Sequence, residues 1–295
     1  MMTLMLLLAL GTTPEQRQIA VAPAETLSVE LWGPPGLPTI VLIADFLGSA
    51  YTFRHVAVAL VAAGYQVVVV EPLAVGTSSR PKKADYSLSA QTRRVAAVLD
   101  SCGIRSAIVG GQGTSGAVAV RLAAARPELV TRLVLLEGGG ASRAAGPGFR
   151  RAMENSAGLQ FFPGLMRAAI RKGMIAASGD PSWVTDEAVH EYTRGGTIDM
   201  AATVDAYRAI ARARDPDDIA DRVAEVKAPV LLLLGGAKHS AGPPLDEVRM
   251  LVSRLVALSI DTVPGAGHHL AEERPDRVVE ALMGSGRVVA RLAVP

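Results

Sequence analysis

His268 is the residue of this chain best suited to move a proton, because imidazole is the side chain whose ordinary charge change falls near neutral pH. It closes the turn Pro264-Gly265-Ala266-Gly267-His268 and is followed at short distance by Glu272, Glu273, Arg274 and Pro275. Two carboxylates stand where apolar runs stop: Asp45 directly after Thr39–Ala44, and Glu137 at the end of Leu133–Glu137. A carboxylate that accepts the Nδ1 proton of a histidine fixes its tautomer and raises its basicity, leaving Nε2 as a general base. Such a base removes a proton from substrate carbon, nitrogen or oxygen, or activates water, without a covalent intermediate. The glycine-rich turn Gly110-Gly111-Gln112-Gly113 offers something different, since backbone amides there polarise an oxygen whatever the side chains are. Its spacing fits neither a dinucleotide fingerprint nor a P-loop. His55, His239 and His269 show no ligand spacing with one another, so neither a metal nor a cofactor is expected.

These groups need a scaffold that lines up strand ends. Glu15–Val21 and Thr26–Trp32 read as an antiparallel pair. Thr39–Ala44 (TIVLIA) is apolar on both faces, as a parallel strand covered by helices must be. Strands at Tyr65–Glu71, Ser106–Gly110, Leu133–Glu137, Pro229–Leu234 and Leu258–Val263 alternate with helical stretches at 52–63, Ser115–Arg126 and Arg274–Met283. Ser87 is the expected N-cap of another helix ending near Asp100. The alternation predicts right-handed βαβ units and an α/β fold with a mostly parallel, doubly wound sheet. Strand-like runs disappear between Gly138 and Val226, where helical pieces and apolar bulk (Leu159, Phe161, Phe162, Leu165, Met166, Met174) predict a helical cap. The expected organisation is a core of residues 1–137 and 227–295 with a cap of residues 138–226.

Composition narrows the function classes. Hydrophobic residues make up 49% of the 295-residue chain and charged residues 20%, so a large core is available and disorder is not expected. A net charge of +2 without a basic stripe argues against nucleic acid as a partner. One cysteine, Cys102, excludes an internal disulfide framework and fits a reducing, cytoplasmic setting. The apolar opening MMTLMLLLALG is too short to span a bilayer and has no preceding positive charge. It reads better as an arm packing on the body, or on a second copy in a homodimer, than as a signal peptide.

From about Thr26 to Met283 the chain resembles the α/β-hydrolase superfamily. The strand-turn-helix Ser106–Arg126 matches that family's nucleophile elbow, G-x-S-x-G, with Gly111, Gln112, Gly113, Thr114 and Ser115 at the five positions. Ala44-Asp45-Phe46-Leu47-Gly48 falls on its His-Gly oxyanion loop, and Glu71 through Ser78 on its D-x-x-G-x-G-x-S segment. Pro264–His268 falls on the catalytic-histidine loop. The departures are specific. Glycine replaces the nucleophile at Gly113, Ala44-Asp45 replaces the His-Gly pair, and Lys238 stands where the acid after the seventh strand belongs. Some branches, haloalkane dehalogenases among them, place that acid after the sixth strand, and there the resemblance puts Glu137.

The resemblance implies His268, Glu137 and Asp45 as catalytic residues. It implies Phe46, Gln112, Gly113 and Thr114 as ligand contacts, with Phe161 and Phe162 in an apolar roof. The amides of Phe46 and Thr114 would polarise a substrate oxygen, and Gly113 would leave room where the nucleophile's side chain stood. The expected activity is cofactor-free, histidine-assisted proton transfer (epimerisation, elimination or cyclisation) on a bulky apolar or peptidic small molecule. Atypical superfamily members without the serine do such work in bacterial secondary metabolism. A non-catalytic ligand- or partner-binding protein is the alternative, because the N-myc downstream-regulated family carries glycine at the same elbow position. Hydrolysis, by water activated on His268 or by Ser115 in the nucleophile's stead, is a third reading. Each residue also has a plainer role open to it: His268 in a structural hydrogen bond, Glu137 as a strand-end carboxylate, Asp45 as a turn cap.

Overall fold

The computed structural model describes residues 13–156 and 162–284. Eight strands form one sheet: β1 (Glu15–Ala22), β2 (Glu25–Trp32), β3 (Thr39–Ile43), β4 (Gln66–Val70), β5 (Ala107–Gln112), β6 (Val130–Leu136), β7 (Val230–Gly235) and β8 (Leu258–Val263). Their order across the sheet is β1-β2-β4-β3-β5-β6-β7-β8. β1 with β2 and β2 with β4 are antiparallel; from β4 onward every pairing is parallel. Ile40, Val41, Leu42 and Ile43 have no exposed surface. Val41 and Ile43 pack into one apolar layer with Val68, Val70 and Val109, while Ile40 and Leu42 enter the opposite layer with Val67, Val69 and Leu136. Two-residue alternation therefore feeds two cores, which is why Ile40 through Ile43 are all apolar.

Helices α1 (Arg54–Ala62) and α11 (Pro275–Met283) cover one face, and α2 (Leu88–Ser101) and α3 (Ser115–Ala125) the other. The Ser87 hydroxyl accepts a hydrogen bond from the Ala90 amide at the start of α2, as its capping role predicts. α3 is buried along most of its length, so its N-terminus stays fixed against the end of β5. At Gly111 a Cβ would lie 2.7 Å from the Ser115 carbonyl oxygen, and only glycine allows strand and helix to meet that closely.

Between β6 and β7 the described residues form helices and no strand: α4 (Pro147–Glu154), α5 (Pro163–Ala177), α6 (Asp186–Ile198), α7 (Met200–Arg212) and α8 (Ile219–Ala224). Met174, Val184, Val189 and Tyr192 make a small apolar cluster of their own. Ile210, Ile219 and Val223 instead join the main core against α3, so the last part of this segment is built into the body. α9 (Leu245–Arg254) and α10 (Leu270–Glu273) complete the described α-helices, and short 3-10 turns lie at Ala50–Phe53 and Pro181–Trp183. Among the described residues no helix is long and apolar enough to cross a membrane.

Candidate functional site

The candidate residues converge at the C-terminal edge of the parallel strands, where strand ends and their loops meet. Gly113 is the apex between β5 and α3, at φ +54°, with its amide donating to the Leu136 carbonyl at 2.7 Å. Asp45 follows β3, Glu137 follows β6, and His268 lies in the loop between β8 and α10. His268 Nε2 is 3.5 Å from Asp45 Oδ2, and its Nδ1 is 3.9 Å from Glu137 Oε2. Both are ion-pair contacts, longer than good hydrogen bonds.

Asp45 sits where the sequence left a gap. A Cβ on Gly113 would fall 2.2 Å from Asp45 Oδ2 and 2.7 Å from its Cγ. The room expected at Gly113 is therefore filled by this carboxylate. The other oxygen, Oδ1, accepts from the Phe46 amide at 2.8 Å and the Ser115 amide at 3.3 Å. The Phe46 amide is thus engaged within the protein rather than open to a substrate oxygen, and the Phe46 ring packs against the main core. Asp45 keeps 19% of its side chain exposed, so solvent reaches it.

Burial opposes charge on His268, but the two carboxylates outweigh it and hold the imidazolium up to about 9. Near neutral pH His268 carries its proton. A histidine held as imidazolium departs from the expected free base at Nε2, and the group facing that nitrogen is the Asp45 carboxylate. His269, whose ring stands edge-on to His268 at 5.1 Å, is the opposite case. Burial and the neighbouring His268 and His239 push it down to about 3, and its ring packs on Trp183 at 4.9 Å.

Glu137 is 2% exposed and adopts a left-handed backbone at φ +56°, which is unusual for a side-chain-bearing residue and marks a constrained turn. Its Oε1 accepts from the Gly235 amide. Its Oε2 lies 3.3 Å from Nε2 of His239, a residue the sequence gave no reason to place here. His239 adjoins Lys238, the position of the expected acid, and belongs to the loop after β7. The signal was present only as a histidine one residue beyond that position.

The remaining expectations divide. Gln112 is buried, but its side-chain amide donates to the His268 carbonyl at 3.4 Å, so it braces the histidine loop instead of facing a ligand. Ser115 has no exposed surface, and its hydroxyl donates to the Ala44 carbonyl at 2.8 Å, which removes it as a substitute nucleophile. Thr114 is half-buried and stands at the N-cap of α3. Phe162 is 57% exposed at the start of α5 and does not roof the site; Phe161 and Leu159 lie outside the described residues. Surface cavities of about 470 and 570 Å³ lie away from His268, one against α4 and α7, the other beside Ala124, Glu225 and Val256.

The surroundings fix these groups. Glu71 ends β4 with one oxygen on the Ala50 amide and the other on the Thr77 amide, both at 2.7 Å, so it ties together the loops after β3 and β4. The helical segment is fastened to the histidine loop: the His268 amide donates to the Ala177 carbonyl at 2.8 Å, and Ser240 donates to Ala176 at 3.0 Å. One oxygen of Glu273 collects the amides of Gly179, Asp180 and Gly267. Tyr192 of α6 reaches the Glu272 carboxylate at 3.0 Å and the Thr52 hydroxyl at 2.5 Å, while Arg54 pairs with the same carboxylate.

A family model described as the Alpha/beta hydrolase family matches residues 40–281, which span the sheet from β3 onward and all three candidate catalytic residues. The chain belongs to the α/β-hydrolase family. Among curated members it is 26% identical over 305 residues to Epoxide hydrolase A of Mycobacterium tuberculosis, covering 85% of this chain and 91% of that one. It is 25% identical over 264 residues to the Putative carbamate hydrolase RutD of Azorhizobium caulinodans, covering 84% and 91%. Among solved structures, Cfl2 of Burkholderia cenocepacia superposes with a TM-score of 0.73 at 24% identity, covering 93% of this chain and 96% of that one. That likeness is one of fold. These α/β-hydrolase relatives bear names of several hydrolytic activities.

Proposed function

We propose that this α/β-hydrolase-family protein is a cofactor-free, non-hydrolytic enzyme in which Asp45 and His268 transfer protons to and from a small organic substrate. The observation that carries the reading is the Asp45 carboxylate in the space of the missing elbow side chain, 3.5 Å from His268 Nε2. Asp45 accepts a proton from substrate carbon, nitrogen or oxygen, and His268, held as imidazolium, delivers one to the developing anion or leaving group. The two groups lie side by side. That arrangement suits proton removal and return on one face, as in elimination, cyclisation or a one-base isomerisation, more than inversion by opposed bases. The substrate class we favour is a bulky apolar or peptidic small molecule, of the kind met in bacterial secondary metabolism.

A second reading, hydrolysis through Asp45, is favoured by the two amides that hold Oδ1 and leave Oδ2 forward, and by the relatives named as hydrolases. Asp45 Oδ2 would attack an electrophilic carbon such as that of an epoxide, the C–O bond would open to an alkoxide that takes the His268 proton, and water would cleave the resulting ester with the neutral His268 taking up its proton. The side-by-side placement of Asp45 and His268 serves proton transfer without a covalent intermediate, which places this reading second.

The test is incubation in deuterium oxide with candidate substrates, epoxides and chromogenic esters included, followed by NMR and mass spectrometry. Deuterium incorporation or an isomerised, dehydrated or cyclised product that disappears in Asp45→Asn and His268→Ala supports proton transfer. A covalent adduct on Asp45, or hydrolysis lost in Asp45→Asn, moves the assignment to the second reading. Binding without exchange or product moves it to a ligand-binding protein.

A further inference from the structure

Glu137 is a carboxylate with one oxygen to spare and two histidines competing for it. Oε1 is committed to the Gly235 amide. Oε2 lies 3.3 Å from His239 Nε2 and 3.9 Å from His268 Nδ1, ion-pair contacts rather than formed hydrogen bonds, and both imidazole side chains are nearly buried, at 5% and 11% exposed. His239 is the nearer of the two. Its place is set by backbone on both sides: Ala237 donates to the Ala266 carbonyl at 2.9 Å, and Ser240 to the Ala176 carbonyl at 3.0 Å. Gly242 closes the loop over the ring, since a Cβ there would stand 3.2 Å from His239 Cε1 and 3.7 Å from Glu137 Oε2. A surface histidine that had merely drifted inward would not be anchored in this way.

We propose that His239 is a positioning residue of this centre, holding Glu137 Oε2 and sharing its negative charge, so that it limits how tightly Glu137 binds the proton of His268. The buried chain then runs Asp45, His268, Glu137, His239, with two carboxylates and two imidazoles alternating. His268 faces Asp45 at Nε2, Glu137 at Nδ1, the edge of His269 at 5.1 Å and the ring of His239 at 6.4 Å. Of these neighbours only His239 acts through the carboxylate. Removing it gives Oε2 to His268 alone and tightens that proton; replacing it with another N–H donor restores the division. The consequence for catalysis rests on the Asp45–His268 reading above, but the role itself is read without any substrate.

The experiment is a histidine NMR titration of the intact protein with labelled imidazoles. In wild type the His239 proton sits on Nε2, toward Glu137, and the His268 midpoint lies near 9. His239→Ala moves that midpoint up by about one unit, and His239→Gln brings it back toward wild type. An unchanged or lowered His268 midpoint in a folded His239→Ala protein overturns the proposal, whether or not Asp45 and His268 prove catalytic. Should His239→Ala fail to fold, a wild-type His239 with its proton on Nδ1 and none on Nε2 overturns it equally.

Discussion

Replacing Asp45 by asparagine removes one negative charge from beside a buried imidazolium while keeping an oxygen for the Phe46 and Ser115 amides. The two carboxylates lift His268 from 6.5 to about 9 despite burial, and that rise corresponds to about 3 kcal/mol of folding free energy. The sign follows from proton binding. The folded state holds the His268 proton more tightly than the unfolded state, so this stability is fully present below about pH 6.5 and is lost as pH rises through about 9. Glu247, pushed up to about 7 by burial and by Asp246, changes stability between 4.5 and about 7 and so overlaps only the lower end of that window. Wild-type unfolding free energy, measured by urea denaturation from pH 6 to 10, should therefore fall by about 3 kcal/mol with most of the loss between 6.5 and 9. Asp45→Asn should be less stable than wild type at pH 6.5 by about 2 kcal/mol, because an imidazolium with one carboxylate partner left is poorly compensated. It should also lose most of the slope above that pH. A wild-type profile flat from 6.5 to 9, or a variant that keeps the full slope, would refute the claim that Asp45 holds His268 charged.

Other outcomes are expected together. Gly113→Ser should destabilise by about 2 kcal/mol or more, from the left-handed backbone and from the collision with Asp45. Pairing it with Asp45→Gly should recover a large part of that loss, seen as a non-additive thermal midpoint in a double-mutant cycle. Tyr192→Phe should cost about 1–3 kcal/mol, because Thr52 and the buried Glu272 each lose a partner. His269 is held neutral by burial, so its stabilisation is present above about pH 6.5 and lost as pH falls toward 3. His269→Phe should flatten the acid limb of the denaturation curve.

The reach of sequence reasoning here follows from what period and register can carry. Strand ends are set by apolar runs, so the ends that carry Asp45 and Glu137 were legible to within one residue, and the parallel register brings both beside His268. Side-chain direction beyond a strand end is not periodic. Nothing in the string ADFLG says that the Asp45 carboxylate turns back onto its own following amide and into the volume above Gly113. His239 was hidden for the same reason: the loop from Gly236 to Pro244 has no repeat, and its path is fixed by contacts with Ala266 and Ala176 from distant elements. Gln112 shows the converse failure, a polar residue beside the apex that serves the neighbouring loop.

Helix α5 hands its final carbonyls to the loops bearing His268 and His239, and this makes the end of the helix and the proton machinery one mechanical part. Moving the C-terminal end of α5 breaks the bond to the His268 amide. A swinging lid on that side would disarm the centre each time it opened.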